Sequence, residues 1–302
     1  MEFGKVQEDE ILSVNFSLPN DGSITSKILE KSEENKKVKF YVGCGTWGQK
    51  SWTKHLYNKG TKTSDFLKMY LTQFNSIELN AMFYSLPDRD RVIGWKKLAI
   101  ENSKSNFLFC PRLPQLISHV LKLEDVNEIF QNFVDVVSNF GDNLGASFLQ
   151  LGIFGPERLH ILQDFVETVP SGFKLFVEVR SPEWFSNEKV KEEYFSVLSR
   201  NNIGAVITDT SGRRDLIHMN LTIPECFIRF VGNGGKYVES DFRRIDDWVI
   251  RIQEWVNRGI EKVYFFVHEH GERNTPILAN YVIQQFNALL EANLPELTFI
   301  EK

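Results

Sequence analysis

Four charged residues stand in runs that are otherwise apolar and of strand length. Glu78 lies in Ser76-Ile77-Glu78-Leu79-Asn80 and Glu178 in Leu175-Phe176-Val177-Glu178-Val179; Asp209 closes Ala205-Val206-Ile207-Thr208-Asp209, and Arg229 is central in Phe227-Ile228-Arg229-Phe230-Val231. An unpaired charge taken out of water costs several kcal/mol, so each needs a counter-charge or a wet cavity. Carboxylates in unequal surroundings are the usual equipment for proton transfer, in hydrolysis or isomerisation, and a guanidinium fork suits an anion. Glu178 and Asp209 are therefore the acid/base candidates, and Arg180 and Arg229 the groups to hold a negative charge. Glu78 and Asn80 would orient a substrate, with His119 or His268 as a second proton carrier.

Side chains alternate along a strand, so Ser76, Glu78 and Asn80 share one face, as do Phe148 with Gln150, and Phe176 with Glu178 and Arg180. Glu178 and Arg229 are expected to face each other across a barrel mouth, as a structural ion pair or as part of a site. Glu78 and Asn80 have a bland reading too, as caps of the following turn. His268 and His270 share a face if their strand runs that far, but a His-x-His pair alone is a weak metal signal. The sequence names no cofactor; a divalent metal on Glu178, Asp209 and His268 is the less favoured variant.

The elements that must position these residues repeat along the 302-residue chain. Apolar runs of strand length occur at 40–44, 76–80, 107–111, 147–151, 175–179, 205–209, 227–231 and 263–267. Segments with helical spacing lie between them, at 65–74, 89–101, 124–140, 156–169, 187–201, 242–258 and 275–292. The weakest gap is 210–226, where only a short helix around Arg214–Met219 fits. Strands alternating with helices predict an α/β fold with parallel strands, and eight repeats predict a (β/α)8 TIM-type barrel over 38–302. Such a barrel carries its chemistry at the C-terminal strand ends, where the polar residues cluster. Residues 1–37 form a charged N-terminal extension, in which Lys27–Lys39 reads as a solvated helix or flexible lead-in; residues 1–36 are expected to be removable without unfolding the barrel. Glycines 43, 45 and 48 match a dinucleotide-binding G-x-G-x-x-G, but no helix opens there and no acidic residue ends the next strand.

Composition narrows the partners. A formal net charge of −5 disfavours bulk attraction to nucleic acid or an anionic membrane. Three scattered cysteines are expected as reduced thiols in a cytoplasmic protein, with no signal peptide or membrane span. Arg112, Arg180, Arg213, Arg214, Lys236 and Arg273 all follow strands, and this basic rim points to a small anionic ligand, such as a phosphorylated one. Gly232-Asn233-Gly234-Gly235-Lys236 stands where barrels often hold phosphate, or is simply a glycine turn; Tyr237 after the lysine excludes a nucleotide P-loop. The alternative is a binding module for nucleic acid or a phosphorylated partner, without turnover.

The same residues carry a family resemblance. From about Phe40 to Leu290 the chain resembles the uncharacterised domain-of-unknown-function 72 (YecE-like) family. The shared marks are Gly43-Cys44-Gly45-Thr46-Trp47, Glu78-Leu79-Asn80-Ala81-Met82-Phe83-Tyr84, Phe107-Leu108-Phe109-Cys110-Pro111-Arg112-Leu113-Pro114 with Ile117-Ser118-His119, Gln150, Val177-Glu178-Val179-Arg180 with Trp184, and Arg229. The resemblance implies a barrel and places Tyr84, Arg112, His119 and Gln150 among the candidate binding residues; it implies no settled reaction. Ser181, Val231, Val267 and His268 depart from its pattern, so chemistry resting on those positions in relatives is lost or relocated here.

Overall fold

The computed structural model describes residues 3–30 and 37–300. Its strands are β1 (Lys39–Cys44), β2 (Ser76–Leu79), β3 (Leu108–Pro111), β4 (Ser147–Leu151), β5 (Leu175–Val179), β6 (Gly204–Asp209), β7 (Glu225–Gly232) and β8 (Lys262–Glu269). The helices are α1 (Ser23–Leu29), α2 (Phe66–Leu71), α3 (Ala81–Tyr84), α4 (Arg89–Asn102), α5 (Asn127–Val137), α6 (Leu159–Glu167), α7 (Glu188–Arg200), α8 (Val238–Val256) and α9 (Thr275–Leu290). Asp88 caps α4 by accepting from Arg91 N, and Asn187 caps α7. Ser64 lies inside a 3-10 turn that precedes α2.

All pairings are parallel, as expected for strands buried on both faces. Six strands run in the order β1-β8-β7-β6-β5-β4, and β2 pairs with β3. Side chains and single bridges span the two seams. Between β1 and β2, Asn75 donates to Phe40 O and accepts from Val42 N, both at 2.8 Å, and the Tyr70 hydroxyl links Cys44 N to Ser76 O. Between β3 and β4, Gly145 N donates to Phe109 O at 2.7 Å and Leu113 N to Phe148 O at 2.9 Å. The predicted (β/α)8 barrel is the observed architecture.

The lumen is layered by strand parity. Tyr41, Phe148, Phe176, Phe227, Tyr264 and Phe266 form a buried aromatic floor, with Phe227 5.2 Å from Phe148 and 4.9 Å from Phe266 between ring centroids. Two residues further along the same strands come Gln150, Glu178, Arg229 and His268. The apolar floor seals the barrel below and forces the next layer to be satisfied from within itself or from the open end.

The connection between β6 and β7 has only a 3-10 turn at Arg214–Leu216. The N-terminal extension supplies what is missing there. In α1, the Thr25 hydroxyl donates to Met219 O at 2.7 Å and accepts from Leu221 N at 2.8 Å. Just before it, Asp21 accepts from Arg251, Trp255 and Arg258 at 2.8–3.2 Å. A surface groove separates α1 from α7. These contacts pack α1 against the barrel wall; the densest part of the charged run Lys27–Lys39, 31–36, lies outside the described residues.

Candidate functional site

At the C-terminal strand ends a cavity of about 210 Å³ opens, lined by Asn80, Arg112, Arg180, Arg229 and His268 among others. Glu78 and Glu178 lie fully buried in its floor. A chain of charges crosses it. His268 Nε2 donates to Glu78 Oε2 at 3.0 Å; Arg229 donates to both Glu78 oxygens at 2.8 and 2.9 Å and to Glu178 Oε2 at 2.8 Å; Arg180 Nε donates to Glu178 Oε1 at 2.6 Å. The expected Glu178–Arg229 contact is thus direct. Asn80 Nδ2 adds a bond to Glu78 Oε1 at 2.8 Å, so Asn80 serves the buried carboxylate as well as facing the cavity.

Burial alone would raise the Glu178 carboxyl, but Arg180 and Arg229 outweigh it and hold it down at about 2. Glu78 sits well below the usual carboxylate range in the same way, through Arg229 and His268. Both are ionised, with their oxygens occupied by donors. They are therefore anchors for arginines rather than proton carriers at neutral pH, which departs from the acid/base role read for Glu178. Burial works against charge on His268, yet Glu78 and Glu272 raise it to about 9, so it is protonated near neutrality. A raised group stabilises fully below its unfolded value of 6.5 and loses that contribution as pH rises through about 9. Wild-type protein is expected to lose on the order of 3 kcal/mol more than His268→Gln between those limits, read by urea unfolding across pH. Parallel curves for the two proteins would refute the coupling.

Arg112 is different. It is 3% exposed, and its guanidinium donates to the amide oxygens of Gln150 and, at 3.5 Å, of Asn80. Its face lies 3.7 Å from the Phe83 ring centre, and its Nε has no partner. Among the described residues no carboxylate forms an ion pair with it. Burial, with Arg229 next, lowers it to about 10, which leaves a charged group at neutral pH. Its hydrogen-bond partners are neutral amides, and Glu178 and Glu78 favour its charge only from a distance, so an anion could still meet this cation directly.

Several expected residues fall elsewhere. Asp209 faces the helix layer, because Thr208, one position earlier, takes the lumen side. It accepts from Arg244 Nη2 and Trp248 Nε1, both at 2.8 Å, and from Arg214. Burial opposes its charge, but Arg244 and Arg214 keep the carboxyl low. It is a wall anchor, which removes it from acid/base chemistry and from any metal set with Glu178 and His268. Among the described residues no group of three His, Cys, Asp or Glu is placed to hold a metal ion. In the Gly232–Lys236 loop, Asn233 N and Gly234 N already donate to Asp241 at 3.0 and 2.8 Å, and Lys236 pairs with Glu8 at 2.7 Å on the surface. That loop is a structural turn. Tyr84 is 71% exposed at the rim, and His119 is exposed and packs edge-on to Phe83.

Other cavity residues were not assigned to the site by sequence. Gly45 passes so close that a Cβ there would lie 2.4 Å from the His268 ring, so the glycine admits that histidine. Thr208, Glu269 and Glu272 line the β6 and β8 sides, and Phe3 of the extension lines the mouth. The sequence favours Asp209 over its neighbour Thr208, and nothing local could have indicated Phe3.

Residues 41–298 match a family described as protein of unknown function DUF72. The UPF0759 protein YecE of Escherichia coli K12 is 25% identical over 276 residues, 85% of this chain and 94% of that protein. Two crystal structures of a DUF72 family protein from Enterococcus faecalis V583 superpose with TM-scores of 0.65 and 0.63 at 18% identity. They cover 86% and 83% of this chain and 98% of theirs, a likeness in fold alone. No described helix is long and apolar enough to cross a membrane.

Proposed function

This chain belongs to the DUF72 family, and on that premise we propose that its barrel mouth binds a small anion bearing a phosphate or carboxylate group. The observation that carries the reading is Arg112, a buried guanidinium with only amide partners and with Arg180 and Arg229 in the same cavity. A ligand oxygen there would supply a counter-charge in direct contact and receive charge-assisted hydrogen bonds. The carboxylates Glu178 and Glu78 pre-organise Arg229 and Arg180, so little order is lost when the ligand arrives.

For catalysis, the group equipped to give a proton is His268. Its Nε2–H is committed to Glu78, while Nδ1 lies 3.7 Å from Glu272 Oε1, a separation at which a ligand oxygen can compete. Acid chemistry on an anionic substrate, of hydrolase or isomerase type, then runs through His268 rather than through the strand carboxylates. The buried thiols of Cys44, Cys110 and Cys226 suit a cytoplasmic protein.

Calorimetric titration with inorganic phosphate, and separately with malonate, tests the reading. One of the two should bind, and Arg112→Met should weaken that binding about 10- to 100-fold while leaving the fold about as stable, because a charge-assisted bond is removed along with a buried cation that makes no direct ion pair. The reading fails if wild-type protein binds neither probe, or if Arg112→Met binds as well as wild type.

A further inference from the structure

We propose that the segment Phe3–Glu10 is a strap that closes over a bound anion, with Phe3 as the movable wall governing entry and exit; this rests on the anion-binding reading above. The Phe3 ring lies 3.9 Å from the Arg180 guanidinium and 5.3 Å from that of Arg213, and it lines the same cavity as Arg112 and Arg229. Gly4 fastens the segment to the loop after β6: its carbonyl accepts from Gly212 N at 2.8 Å and from the Thr210 hydroxyl at 3.0 Å. Gly4 has φ +75°, and a Cβ there would stand 2.3 Å from Thr210 Oγ1, so glycine is what lets the chain pass this close.

The remaining fastenings are light. Glu8 pairs with Lys236 at 2.7 Å, but both side chains are more than half exposed, and such pairs contribute little. The Tyr237 hydroxyl donates to Glu8 O at 2.5 Å, also at the surface. Firm anchoring resumes at buried Ile11 and at Phe16, which lies 4.8 Å from the Arg244 guanidinium and accepts from Arg214. Apart from the two bonds at Gly4 and the ring contact of Phe3, the segment is held by exposed contacts as far as Ile11, and a segment so held opens locally, those two bonds included, at far less cost than the whole fold. The cavity persists beneath Phe3 with the strap down, so a small anion and the strap coexist. The strap therefore acts on the rates of binding more than on the affinity. It also precedes the residues that match the family.

Stopped-flow binding of inorganic phosphate, with hydrogen exchange at the Gly212 amide, tests the strap. Deletion of residues 1–10, and independently Phe3→Ala in the full chain, should each raise association and dissociation rate constants about tenfold while Kd moves less. Saturating phosphate should slow Gly212 exchange in the wild type. Phosphate binding with unchanged rates in both variants, or Gly212 exchange that phosphate leaves unaltered, overturns the strap alone. Absence of phosphate binding in all three proteins overturns the anion-phosphate reading and the strap with it.

Discussion

Arg229→Ala is expected to destabilise the protein by about 3–5 kcal/mol at pH 7, the range found when one member of a buried ion network is removed. Arg229 is 4% exposed and makes three short bonds to two carboxylates that are themselves at most 2% exposed. Without it, Glu78 and Glu178 face each other through a low-dielectric gap with only Arg180, His268 and Asn80 to share. Their protonation would then be favoured, so the variant should be less destabilised at pH 4 than at pH 7, opposite to the trend expected of a wild-type carboxylate held down at about 2. The triple change Glu78→Gln, Glu178→Gln and Arg229→Met should recover part of the loss, since Arg180 then gives up its bond to the Glu178 carboxylate, and should weaken anion binding. Urea unfolding at both pH values measures each variant. A single Arg229→Ala variant within 1 kcal/mol of wild type would mean that water fills the gap and the network is not structural.

Deletion of residues 1–30 should cost at least on the order of 5 kcal/mol and broaden or abolish the cooperative melt. Three losses combine in it. Leu29, 2% exposed, leaves the main apolar core, which removes about 2 kcal/mol of burial. Thr25, fully buried, stops bridging Met219 and Leu221 across the loop that lacks its own helix. Asp21 abandons Arg251, Arg258 and Trp255, and bonds to charged groups are worth roughly 1.5–3 kcal/mol each. Deletion of residues 1–10 leaves all three in place and should melt like the full chain. If the longer deletion melts as cooperatively and as high as the full chain, α1 merely lies on a barrel that is complete without it.

Much of the fold was legible because the barrel is built from a local repeat. Each strand is buried on both faces and so reads as a short apolar run, and each run recurs after a helical period. Parity within a strand then placed Glu78, Gln150, Glu178 and Arg229 in one layer, and the Glu178–Arg229 contact follows from two strands of equal parity in a closed lumen. Asp209 shows the limit of that reasoning. It ends its strand like a site residue, but one step of parity turns it outward, onto an arginine of α8 that is 35 residues away in sequence.

What the sequence by itself determined is the barrel, its polar end and the residue types gathered there. Only the tertiary structure decided which charges neutralise one another. Glu178 and Glu78 are bonded directly to Arg229, Arg180 and His268, whereas Arg112 hydrogen-bonds only to amides, because pairing depends on distances across the lumen between strands far apart in the chain. The role of the extension was equally closed to local reading. A charged segment with little apolar periodicity carries no sign of where it lands, and α1 and Phe3 acquire their places from a gap after β6 and an arginine at the barrel mouth.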